Sequence, residues 1–278
     1  MQGGTNANPK DFPYVVQVDQ DKICAGTIID PHWVVTAAHC TEDDEGNQKE
    51  VKVIAGTVWA QNSHSEGDEY HPDNVILHPG YDHDKQVKRN KHYFDIALLY
   101  FKEEINFRFE EVDLMELPQS FELANSKCTV MGWGCTRIEN EDDKDTRKHV
   151  DECDRLKYAE MEISGWTGLK EYSHGGERYQ SKLIKINFVK YRGPRPLGGD
   201  SGSPLICKDS NQREVLYGVY KGISYKGYVM YTSVNHHLEW IQEKMREQKQ
   251  QDENQKREKG TEINFFAEED HGKGWEYL

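Results

Sequence analysis

Gly198-Gly199-Asp200-Ser201-Gly202-Ser203-Pro204-Leu205 is the stretch on which the reading of the fold turns. A serine hydroxyl is a weak nucleophile until a base removes its proton and donors stabilise the oxyanion its attack creates. Glycines around Asp200-Ser201 leave the hydroxyl uncovered and let the backbone N–H groups of Gly199 and Ser201 converge on one point. A base and an orienting carboxylate are then needed elsewhere. Trp33-Val34-Val35-Thr36-Ala37-Ala38-His39-Cys40 reads as an apolar strand ending in small residues, a histidine and a cysteine. His92-Tyr93-Phe94-Asp95-Ile96-Ala97-Leu98-Leu99-Tyr100 sets one carboxylate at the head of another apolar strand. A carboxylate placed there is partly buried and requires hydrogen bonds. Base, orienting acid and nucleophile run in the order His39, Asp95, Ser201.

That order and its surroundings resemble one family. Thr36-Ala37-Ala38-His39-Cys40, Asp95-Ile96-Ala97-Leu98-Leu99 and Gly199-Asp200-Ser201-Gly202 are similar to the signature blocks of the chymotrypsin/trypsin-like serine endopeptidases. Subtilisins and α/β-hydrolases place the same chemistry in a different chain order. Gly3-Gly4, Pro13-Tyr14, Cys24 to Ile29, Cys128 to Gly134 and Tyr231 to Val234 extend the likeness over residues 1 to about 243. The resemblance implies an all-β fold of two packed six-stranded antiparallel Greek-key barrels, about 15–108 and 120–234. A cleft lies between them, a C-terminal helix starts near residue 235, and residues 244–278 are a charged extension. It also implies that His39 takes the proton of Ser201 and later returns it to the leaving amine. Asp95 fixes the imidazole tautomer, and the Gly199 and Ser201 N–H groups form the oxyanion hole. The activity expected is endopeptidase hydrolysis through an acyl-enzyme. The alternative is a protein that keeps fold and triad for binding, with little turnover.

Composition bounds the partners. The 278 residues carry a net charge of −14, which disfavours nucleic acid, since phosphate contacts need Lys and Arg. Much of the acidity sits in Glu42-Asp43-Asp44-Glu45 and between Glu139 and Asp145, read as solvated loops. No apolar run approaches the ~20 residues of a membrane span. His64, His71, His78 and His83 lack helical ligand spacing. Thr57, Trp59 and His64 would stand where some relatives bind calcium, an ion that prefers carboxylate and carbonyl oxygens. No metal and no cofactor are therefore expected. The partners implied are protein or peptide substrates and protein protease inhibitors, acting on a monomer.

The six cysteines form an even set. By resemblance Cys24 pairs with Cys40, and Cys128 with Cys207. Cys135 and Cys153 flank an acidic insertion and are expected to pair across its base, outside the usual family pattern. Such bridges imply an oxidising compartment, hence secretion. Met1-Gln2-Gly3-Gly4 stands where relatives begin after precursor cleavage, so the Met1 amine is the expected ion-pair partner of Asp200. No signal or pro-segment precedes it in the sequence, which reads as a mature or recombinant chain, or as a gene product starting here.

Substrate choice departs from the trypsin pattern. Arg195 occupies the position whose aspartate would select Lys and Arg, Leu197 replaces a bridging cysteine, and Val229 replaces a pocket glycine. The opposite wall reads Tyr220-Lys221-Gly222-Ile223. A basic residue before the cut is not expected. Arg195 with Lys221 could receive an acidic side chain; a pocket for small or apolar residues and a filled pocket are the other readings. At the C-terminus, Leu238, Trp240 and Ile241 are the apolar contacts of the expected helix. Good helix formers continue to Lys259, Gly260 reads as its stop, and disorder is expected beyond.

Overall fold

The computed structural model describes residues 1–19, 23–60, 67–83, 93–107, 112–134, 155–187, 194, 196 and 198–270. The chain divides into two compact units, Met1–His237 and Leu238–Leu278. In the first unit, β1 (Thr5–Asn6) is followed by seven strands of one sheet. These are β2 (Val15–Asp19), β3 (Ile23–Asp30), β4 (Trp33–Thr36), β5 (Lys52–Ala55), β6 (Asp68–Tyr70), β7 (Asn74–Leu77) and β8 (Ala97–Tyr100). Their order, β6-β5-β2-β3-β4-β8-β7, is antiparallel throughout and leaves the sheet open and curled. Beta-branched and aromatic runs such as Trp33-Val34-Val35-Thr36 favour the pleated strand. They are buried on both faces, as are Leu98 and Leu99.

The second sheet closes. It comprises β9 (Leu123–Gly132), β10 (Lys157–Trp166), β13 (Leu183–Asn187), β14 (Pro204–Asp209), β15 (Glu214–Ile223) and β16 (Tyr228–Ser233). A separate hairpin of β11 (Lys170–His174) and β12 (Glu177–Ser181) falls between β10 and β13. The order β1-β10-β13-β16-β15-β14-β9, with β9 also paired to β10, makes a closed six-stranded barrel with β1 added outside. Closure removes the free edges that invite aggregation. Its core holds Val130, Ile184, Leu205, Tyr217 and Tyr231, with Met1 packed among them. The fold is thus the all-β one expected from the sequence. It differs in that only the second sheet closes among the described residues.

The second unit contains α1 (Leu238–Asp270), following a 3₁₀ turn at Val234–His237. The helix runs through Gly260 instead of stopping there, a correction to the sequence reading. One glycine inside a helix costs only about 1 kcal/mol relative to alanine, and helix formers flank it. Among the described residues no helix is long and apolar enough to cross a membrane.

Candidate active site

His39 is delivered by β4, whose strand ends at Thr36. The small Ala37 and Ala38 let the chain turn into a 3₁₀ segment, Ala38–Thr41, closed by Cys40 N–H donating to Ala37 O at 3.0 Å. The Cys24–Cys40 disulfide ties this turn back to β3. Asp95 sits just ahead of β8 and is fully buried. Its Oδ1 accepts from the His39 backbone N–H at 3.0 Å, and its Oδ2 lies 2.8 Å from His39 Nδ1. An ionised carboxylate only accepts, so Nδ1 carries the proton and Nε2 keeps a free lone pair. Burial works against ionisation of Asp95. The charge and hydrogen bonds of His39, helped by the charge of Lys221, outweigh it and hold the carboxyl below its usual range. The Thr232 hydroxyl donates to Asp95 O at 3.0 Å, joining the acid to β16.

Ser201 lies in the turn before β14. Its carbonyl accepts from Ala25 N–H at 2.7 Å, Gly202 N–H donates to Tyr220 O at 2.8 Å, and Ser203 N–H donates to Asp200 O at 3.0 Å. Gly202 has φ +80°, and a Cβ there would overlap Ala25 O and Thr36 Oγ1. The serine turn is therefore pressed against β3 and β4, the strand that leads into His39. Gly199 has φ +91°, again left-handed. Neither its N–H nor that of Ser201 donates to a described residue. Ser201 Oγ makes no hydrogen bond to His39 in this state, and such bonds commonly tighten only around substrate.

Behind the turn, Asp200 is fully buried. Its Oδ1 accepts from Gly134 N–H at 2.7 Å and lies 3.3 Å from the Met1 α-amino group, which also donates to Gly134 O. Burial pulls the amine below its ordinary value, the charge and hydrogen bond of Asp200 oppose this, and Lys157 adds to the lowering. A Cβ at Gly132 or Gly134 would overlap the Asp200 carboxylate. The space these two glycines clear for the carboxylate is a contact between residues some 66 positions apart, which carries no local signal in the sequence.

The specificity residues divide. Arg195 and Leu197 lie outside the described residues. Val229 is fully buried in the barrel core beside Tyr220 and Tyr231, whose rings lie 5.4 Å apart. Burial pushes both phenols up. Lys221 is half-buried; desolvation lowers its amine while the Asp95 charge opposes. Cys128–Cys207 is bridged, and Cys135 with Cys153 falls outside the described residues.

The trypsin family model matches residues 1–241. The thrombin-like enzyme elegaxobin-1 of Protobothrops elegans is 28% identical over 86% of this chain and 93% of its own. Snake venom serine protease 5 of Trimeresurus stejnegeri is 29% identical over 79% and 76%. The clotting factor G beta subunit of Tachypleus tridentatus is 27% identical over 87% and 78%. The chain belongs to the trypsin family of serine endopeptidases.

Proposed function

We propose that this endopeptidase is secreted and cleaves polypeptides through an acyl-enzyme on Ser201. His39 Nε2 takes the Ser201 proton as Oγ attacks the scissile carbonyl, and the oxyanion is received by the Gly199 and Ser201 N–H groups. The tetrahedral intermediate collapses, the C–N bond breaks, and the same proton passes from His39 to the leaving amine. Water then repeats the cycle on the acyl ester. Asp95 stabilises the imidazolium that forms, and the pair of Met1 amine and Asp200 holds the Gly199–Ser201 backbone in place. The observation that carries this reading is the His39 Nδ1 to Asp95 Oδ2 contact of 2.8 Å on a strand against which the serine turn is seated. Buried disulfides support an oxidising compartment.

One observation favours the second reading, a binding protein with little turnover. Tyr220, Val229 and Tyr231, on the segments that should line the primary pocket, are buried at 2%, 0% and 0% exposure, leaving them closed to solvent. A fluorophosphonate probe separates the two. Stoichiometric labelling that disappears in Ser201→Ala is expected; absence of labelling in the folded protein would exclude the peptidase.

A further inference from the structure

Among the described residues, the ammonium of Lys221 makes no ion pair. Lys221 is half-buried, and among the described residues its charged neighbour is Asp95. The two Asp95 oxygens are already engaged by His39, at 3.0 and 2.8 Å. No carboxylate of a described residue lies within ion-pair distance of the ammonium. A half-desolvated charge without a partner is unfavourable, and a carboxylate would relieve it.

Strand topology says where that carboxylate would come from. β15 has neighbours on both edges only as far as Tyr220. On one side Val219 pairs with Pro204 of β14, and Tyr220 exchanges hydrogen bonds with Ser203 O and Gly202 N–H. Beyond it, Gly222 and Ile223 still pair with Met230 and Val229 of β16, after a bulge at Lys221. The other edge of Lys221–Ile223 has no strand partner among the described residues. Space over Gly222 is open, because a Cβ there would meet nothing within 4 Å. This edge starts one residue from the hydrogen bonds that hold Gly202, next to the nucleophile. An extended peptide adding to it as a strand would run directly to Ser201.

We propose that Lys221 is a substrate-recognition residue whose ammonium takes the carboxylate of one Asp or Glu among the residues just before the scissile bond. This rests on the peptidase reading only for the position of the cut.

Matched peptides differing only by Glu against Gln, or Asp against Asn, at each of the three positions before the cut test the assignment. Wild type should prefer the acid over its amide by about tenfold at one position, the worth of one charge-assisted hydrogen bond. Lys221→Met should bring that ratio close to one, and Lys221→Glu should prefer Lys there. Ser201→Ala binding the same peptides, read by fluorescence anisotropy, gives the ratio without turnover, so loss of the peptidase reading is told apart from loss of this one. Should Lys221→Met not fold, Lys221→Arg retaining and Lys221→Gln losing the preference carry the same decision. A ratio near one at all three positions in wild type, or an unchanged ratio in the neutral variants, overturns the proposal.

Discussion

Asp95 shows how much of the chemistry depends on one side chain being buried. In water its carboxylate would gain little from an imidazole. In the interior, two hydrogen bonds from one residue keep it ionised against desolvation and fix which His39 nitrogen is basic. Asp95→Asn keeps the shape and reverses the donor pattern, because an amide nitrogen facing Nδ1 drives the proton to Nε2. The turnover number should fall by about 10³–10⁴ at neutral pH, with KM much less affected. Initial rates together with the second-order rate of fluorophosphonate labelling check this; a loss below about tenfold would mean that Asp95 does not set the tautomer. The depressed carboxyl also stabilises the fold. Its contribution is complete above the ordinary carboxylate value near 4 and is lost as pH falls through the lower, folded value.

Among the elements, the closed barrel depends on a cross-strand bond. Cys128 on β9 stands opposite Cys207 on β14, both are buried, and their bridge spans a sequence separation of 79. Cutting it returns loop entropy to the unfolded chain, and Cys128→Ala with Cys207→Ala should lower stability by about 2–4 kcal/mol. Urea unfolding measures it, and an unchanged midpoint would mean that the two strands need no bond to stay paired. The strands that carry His39 and Asp95 were legible in the sequence because short apolar runs are local signals. The β11–β12 hairpin was not, since Lys170 to Ser181 is largely polar and its two strands are exposed. Nor was the Thr232 hydroxyl on the Asp95 carbonyl, which joins residues 137 apart. Gly260 carries local stop chemistry, yet the helix continues through it to Asp270 because the residues that follow it can also be helical. The specificity residues were legible as departures, but whether Val229 narrows a pocket or packs a core is decided by neighbours on β13 and β15.

Over the whole first unit, two buried histidines link parts of the molecule that are distant in sequence, and they set its acid tolerance. His78, after β7, stacks on Phe94 at 5.0 Å and meets the His237 ring edge-on at 4.7 Å. His237 Nε2 lies 3.0 Å from the hydroxyl of Ser181 on β12, which donates to Tyr93 O. The cluster thus joins β7, β12, the 3₁₀ turn at Val234–His237 and the segment leading to Asp95. Burial, then the charge of His237, pushes His78 down to about 2. Burial, then the charge of His236, pushes His237 down to about 3, opposed by a hydrogen bond that its ring donates to the Tyr93 backbone carbonyl. Both are neutral in the fold, whereas the unfolded chain protonates them near 6.5. Below that pH the unfolded state binds more protons, so stability is complete above about 6.5 and falls steadily on acidification. Carboxylates such as Asp95 act with the same sign but only near pH 4 and below, and the lowered Met1 amine is present in wild type and variant alike, so it cancels in the comparison. His236, also lowered by burial, remains in both proteins and cancels. His237→Phe removes one of these titrations, and also the hydrogen bond to Ser181. Its melting temperature should lie below wild type at pH 7 and fall less steeply between pH 6.5 and 4.5. Parallel curves across that interval would assign the acid sensitivity to groups other than this pair.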